Sequence, residues 1–150
     1  MNINYFMSVA IKEANYAYDN NEVPVGGVLV DIKTNQIISR SHNQVNKEKN
    51  AMHHCEIDLI IHSCKSLSRK YLHDTVMFVT LEPCLMCASA ISEVHIDKLY
   101  FGAYDNKNGG IEKFKFQSKR EHIFKTEIYG GILEKDCKAL IDNFFKKLRK

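Results

Sequence analysis

The sequence has only two prolines in 150 residues, Pro24 and Pro83, and no internal repeat, low-complexity tract or linker-like stretch. Nothing therefore marks a boundary. One domain over 1–150 is the simplest account, and the length suffices for a sizeable core. No run is long and apolar enough to span a bilayer. No basic start precedes the first apolar residues, and Lys12 and Glu13 interrupt them, so the N-terminus does not read as a secretory signal. A cytoplasmic protein without a membrane partner is expected. The cysteine count is five, an odd number. Without an export signal, that argues against a disulfide framework and toward metal binding or catalysis.

Charge of one sign is also scarce: 21 Lys and Arg face 18 Asp and Glu, for a net +3. The distribution says more than the sum. Basic residues gather in "KFKFQSKR" at 113–120 and "KKLRK" at 146–150. Taken alone, such runs read as a solvated face. An apolar fraction of 45% with 26% charged residues is that of an ordinary globular protein.

The periodicities supply the elements. Phe6, Met7, Ala10, Ala14 and Ala17 recur at helical spacing within 3–18. "VPVGGVLVD" (23–31) and "NQIISRS" (35–41) flank Lys33-Thr34-Asn35 and predict a hairpin. A helix is expected over 51–64, a buried strand over 75–81 and a helix over 84–94, with Pro83 suited to its start. Strands at 97–103 and 126–130 and an amphipathic helix over 132–149 complete the pattern. Helices alternating with strands after a hairpin predict an α/β sandwich with a mixed sheet.

Two stretches carry chemistry. "HHCEI" (53–57) sets two histidines, a cysteine and a glutamate side by side, and "TLEPCLMC" (80–87) holds Cys84 and Cys87 three apart. Residues three apart share one face of a helix. A helix N-terminus favours thiolates, so both cysteines suit a metal. One His and this Cys pair make three N/S ligands of the kind zinc takes, and a catalytic zinc site keeps its fourth place for water. A nearby glutamate can move that water's proton. Residues two apart point in nearly opposite directions on a regular helix. A His-x-Glu pair therefore fits best where a helix begins. His54, Glu56, Pro83, Cys84 and Cys87 match the H-x-E…P-C-x-x-C signature of zinc-dependent base deaminases, which selects His54 over His53.

From about residue 4 to the end the chain resembles the bacterial tRNA-specific adenosine deaminases of the cytidine-deaminase-like superfamily. The resemblance is carried by "EVPVGGVLV" (22–30), His42-Asn43, "HCEI" (54–57), "VTLEPCLMCASAI" (79–91), "FGAYDNKNGG" (101–110), "GGIL" (130–133) and "DNFFKKLRK" (142–150). It implies a three-layer α/β/α sandwich with a five-stranded mixed sheet, and a homodimer. It implies one zinc ion per subunit on His54, Cys84 and Cys87, and a proton shuttle at Glu56. Zinc-activated water would attack C6 of adenine at the wobble position, 34, and inosine would form. The implied partner is the anticodon stem-loop of a tRNA, by resemblance an arginine tRNA. By the same resemblance Asn43 meets ribose and base, and Val25 is pocket wall. The backbone at Leu81 and Glu82 approaches the water, and Asp105 contacts a neighbouring sugar. Phe145, Lys146, Lys147 and Arg149 meet the stem-loop.

The chain departs from the family pattern at Gly27, His53, Cys55, Ser89 and Tyr104. The family usually has alanine at the first three, glycine at the fourth and a basic residue at the fifth. His53, Cys55, Cys64 and Cys137 read as packing or neighbouring residues. Two rival functions share the zinc core: a deaminase of a free base or nucleoside, and a non-catalytic zinc or RNA-binding module. Glu82 is the rival to Glu56 as base.

Overall fold

The computed structural model describes residues 1–113 and 122–149. Most of the basic stretch 113–120, and Lys150, lie outside the described residues. The element order is α1 (Ile3–Asp19), β1 (Gly26–Asp31), β2 (Ile37–His42), α2 (Val45–Glu48), α3 (Cys55–Leu67), β3 (Thr75–Leu81), α4 (Leu85–Glu93), β4 (Lys98–Ala103), β5 (Glu127–Tyr129) and α5 (Glu134–Leu148). The strands form one five-stranded sheet in the order β2-β1-β3-β4-β5. β1 runs antiparallel to β2 and β3, whereas β3, β4 and β5 are parallel. The sheet is mixed, as expected.

Side chains alternate across the sheet with period two, as strand geometry requires. Val28, Val30, Val76 and Phe78 join Phe6, Met7 and Ala10 of α1 and Cys137 of α5 on one face. Leu29, Met77 and Val79 join Leu59 and Ile60 of α3 and Ala88 and Ile91 of α4 on the other. Helices thus cover both faces, which gives the three layers. At Gly26 an added Cβ would lie 2.2 Å from the Ala14 nitrogen and 2.3 Å from the Ala10 oxygen. The glycine lets α1 cross β1 in direct backbone contact.

Three local expectations are corrected. The helix predicted from 51 begins at Cys55, because Asn50 Oδ1 accepts the Met52 N–H and holds 50–52 as a turn. The strand predicted from 23 begins at Gly26, because the Val25 N–H bends back to the Val23 carbonyl. The four-residue α2 has no counterpart among the predicted elements. The hairpin turn stands, with Asp31 Oδ1 accepting the Lys33 and Thr34 N–H groups and Asn35 at φ 58°.

The topology gathers several chain segments at one end of the sheet. Gly27 pairs with Val79, Gly26 with His42, and Leu81 with Ala103. The start of β1 and the ends of β2, β3 and β4 therefore share that end, which is where open α/β sheets bind ligands.

Candidate active site

His54 and Cys84 are the N-caps of α3 and α4, with extended backbones at φ −71°, ψ 149° and φ −69°, ψ 172°. Neither side chain caps its own helix. Ser, Thr, Asp and Asn are the favoured caps, so two helices started by His and Cys break a local rule together. Their side chains meet instead. Cys84 Sγ lies 3.6 Å and Cys87 Sγ 3.5 Å from His54 Nδ1. All three donor atoms fall within 4.8 Å of one another. A tetrahedral zinc ion with Zn–S of about 2.3 Å and Zn–N of about 2.05 Å has an N–S edge of about 3.6 Å. The donor set therefore fits zinc in both chemistry and size. Among the described residues it is the one such cluster.

The electrostatics point the same way. The hydrogen bond from Cys87, aided by His54, pulls the Cys84 thiol down to about 4. That bond and burial push Cys87 far above its ordinary range. A thiol held low beside a second sulfur and an imidazole suits a cation, which takes its cysteine ligands as thiolates. The hydrogen bond with Cys84 raises His54.

Glu56 is 4% exposed and sits in the first turn of α3. Burial pushes its carboxyl up to about 7, against its own backbone N–H, which favours the charged form. A cavity of about 650 Å³ opens over this group. Val25, Asn43, His54, Glu56, Leu81, Glu82, Cys84 and Asp105 all line it. Cys87 is fully buried behind them. Asn43 is 9% exposed, and its Oδ1 accepts the Cys55 N–H at 2.8 Å. That bond caps α3 and fixes the amide's orientation, with Nδ2 as the end left for a ligand. Asp105 Oδ1 accepts the Lys107 and Asn108 N–H groups, so the residue shapes its own turn as well as the wall.

Residues 1–103 match the family described as cytidine and deoxycytidylate deaminase zinc-binding region. A tRNA-specific adenosine deaminase from Rickettsia felis is 42% identical over 144 residues, covering 95% of this chain and 100% of that protein. The chain belongs to the tRNA-specific adenosine deaminase family. A solved structure from biochemical and structural studies of A-to-I editing by tRNA:A34 deaminases at the wobble position of transfer RNA superposes with a TM-score of 0.81. It is 35% identical, over 91% of this chain and 98% of that one. A guanine deaminase from Nitrosomonas europaea shares the fold alone, with a TM-score of 0.81 at 14% identity over 94% of this chain and 83% of that one.

In this member of the family Phe145, Lys146, Lys147 and Arg149 stand on or just after α5 and do not line the cavity. Phe144 is buried against Tyr18, whereas Phe145 is 39% exposed. Lys147 Nζ lies 5.0 Å from the Tyr18 ring centroid. His53 does not line the cavity either. Its Nδ1 pairs with the buried Asp58 at 2.9 Å. Sequence reasoning missed Glu22, Asn46 and Asn108 as cavity residues. Glu22 is buried and accepts the Asn46 and Lys47 N–H groups, contacts that no local spacing reveals. Asn108 did carry a signal, its place in the turn sequence after Asp105.

Proposed function

We propose that this chain deaminates adenosine to inosine at the wobble position, 34, of a tRNA anticodon. The reading rests above all on one juxtaposition: the buried Glu56 faces the cavity beside His54 and Cys84, under the Asn43 and Asp105 walls. His54, Cys84 and Cys87 hold zinc in this reading, and zinc when bound supplies the Lewis acidity that brings water's pKa toward neutrality.

Glu56 takes a proton from water as the oxygen bonds to C6, and delivers it to N1. It then carries the proton of the new C6 hydroxyl to N6 as the C6–N6 bond breaks, the C6 carbonyl forms and ammonia leaves. Burial suits Glu56 to this role, because it narrows the gap between giving and taking a proton near neutral pH. Asn43 Nδ2 donates to the nucleoside. Val25 and Leu81 supply apolar walls, and the backbone at Leu81 and Glu82 borders the reacting water. The free oxygen of Asp105 accepts from a neighbouring ribose hydroxyl. A base held in a single-stranded loop is already largely unstacked, which lowers the energy needed to insert it.

Phe145, Lys146, Lys147 and Arg149 are read as the stem-loop contact, through stacking and phosphate neutralisation. The family resemblance extends the proposal to an arginine tRNA, a homodimer with one zinc per subunit, and a cytoplasmic enzyme. The test incubates zinc-loaded protein with two anticodon stem-loops, carrying adenosine or cytidine at position 34, beside free adenosine, cytosine and guanine. Inosine from the first loop alone, abolished in Glu56→Ala, is the expected result by mass analysis. Turnover of a free base with both loops untouched would overturn the RNA assignment.

A further inference from the structure

Glu82 links the end of β3 to the ligand Cys84, and its side chain is 4% exposed. Its N–H continues the strand pairing, 2.8 Å from the Ala103 carbonyl. Its carboxylate is filled by backbone donors from one distant loop. Oε1 accepts the Asp105 N–H at 3.1 Å, and Oε2 accepts the Ile111 and Glu112 N–H groups at 3.1 and 3.0 Å. The two ends of the 105–112 segment are thereby drawn to one side chain. The middle of the segment is built around that side chain. A Cβ on Gly109 would lie 2.6 Å from Glu82 Oε2, and one on Gly110 would lie 2.3 Å from the Leu85 nitrogen. The Gly110 N–H reaches the Pro83 carbonyl at 2.8 Å. The loop rests on Glu82 and on the first turn of α4 at once. Asp105 and Asn108, which line the cavity, are carried by this loop.

Three backbone N–H groups of this one loop already occupy the carboxylate. We propose that Glu82 is a positioning residue: it holds Asp105 and Asn108 at the substrate wall and leaves the chemistry to Glu56. The functional half of this assignment rests on the RNA deaminase reading above. Glu82→Gln is the informative variant. It keeps the shape, but its NH₂ cannot accept, so at least one of the three N–H groups loses its partner.

Steady-state kinetics on the adenosine-34 stem-loop should show KM raised about tenfold, with kcat within about twofold of wild type and zinc content unchanged. In an Asp105→Ala background the same substitution should change KM by less than about threefold, because one of the two wall residues it positions is gone and only Asn108 remains. A large fall in kcat at unchanged KM would make Glu82 catalytic and overturn the proposal. So would an undiminished KM effect in the Asp105→Ala background, or loss of zinc. Amide hydrogen exchange provides an arm that needs no substrate. Exchange at Asp105, Ile111 and Glu112 should be slow in wild type and faster in Glu82→Gln, and equal rates would overturn the clamp. If wild type makes no inosine from the loop while the exchange difference stands, the function reading fails and the clamp survives.

Discussion

The Cβ that Gly27 lacks would sit 3.0 Å from the sulfur of Cys55. Both positions depart from the family pattern, in which alanine is usual at each, and here they prove to share one space. Cys55 is fully buried between α3 and β1, with its thiol 3.3 Å from the Ser41 carbonyl. The larger side chain on the helix fills the room left by the smaller residue on the strand. Cores tolerate such exchanges when total volume is kept. Cys55 is thus a packing residue next to His54, and burial drives its thiol well above the ordinary range, which keeps it protonated.

Gly27→Ala alone should destabilise the protein by about 1–3 kcal/mol through overpacking. Cys55→Ala alone should cost about 1 kcal/mol through the space it leaves. The double variant should lose less than the sum, by roughly 0.5–1 kcal/mol. Rescue stays partial, because the new methyl still meets the Phe78 oxygen at 2.8 Å and Leu59 Cδ1 at 2.9 Å. Urea denaturation of the four proteins checks this, and strict additivity would separate the two positions.

Removing metal should loosen the two helices that His54 and Cys84 begin. A cation bound a thousandfold above its dissociation constant stabilises by about 4 kcal/mol, or roughly 10 °C in Tm for a chain of this size. Chelator should lower Tm by about that amount, and added zinc should restore it. His54→Ala and Cys84→Ala should lie near the chelated value and respond to neither. A wild-type Tm indifferent to chelator, in protein shown to have lost its zinc, would deny the metal a structural share.

The site is legible in the sequence where function breaks a local rule. The His-x-Glu spacing fits best where a helix begins, and His54 is an N-cap with extended backbone. Cys84 and Cys87 are legible from their spacing after Pro83. What spacing cannot show is long-range. Glu82 reads in the sequence as a rival base and Glu22 carries no assigned role, yet both are buried and held by segments more than twenty residues away. The helix start at 55 is not marked by apolar spacing, which rests on Ile57, Ile60, Ile61 and Cys64, and the turn before it depends on the Asn50 side chain. The strand order is equally out of reach, since it places β1 between β2 and β3 through contacts that no single segment encodes.

Cys137 gives a pH dependence away from the metal site. Its sulfur covers Gly102 of β4 so closely that an added Cβ there would lie 2.3 Å from it. Burial, with Asp136 nearby, pushes the thiol up to about 12 from an ordinary 9.0. A raised folded-state value means stability that is fully present below pH 9 and is lost as pH climbs toward 12. By pH 11 the loss from this group is on the order of 3 kcal/mol. Cys137→Ala should be less stable than wild type at pH 7, by about 1 kcal/mol, and should match or exceed it at pH 11. Denaturation of both proteins across that range cancels groups that titrate in each. A constant difference would mean the thiolate is accommodated.

The C-terminal cations have a structural explanation as well as a functional one. Lys146 and Lys147 lie in the last turn of α5, where positive charge meets the helix dipole, and Lys147 also sits over Tyr18. Those terms together are worth about 1–2 kcal/mol of stability and say nothing of RNA. Salt dependence separates the two. Every phosphate left without its cation takes roughly 0.7–0.9 off the slope of log affinity against log salt. Changing Lys146, Lys147 and Arg149 together to alanine should therefore flatten the slope for the stem-loop by about 2, weaken binding at low salt, and leave zinc content unchanged. Fluorescence titrations at several salt concentrations measure it. An unchanged slope with a slightly lowered Tm would assign these residues to the helix alone and place the RNA on another face.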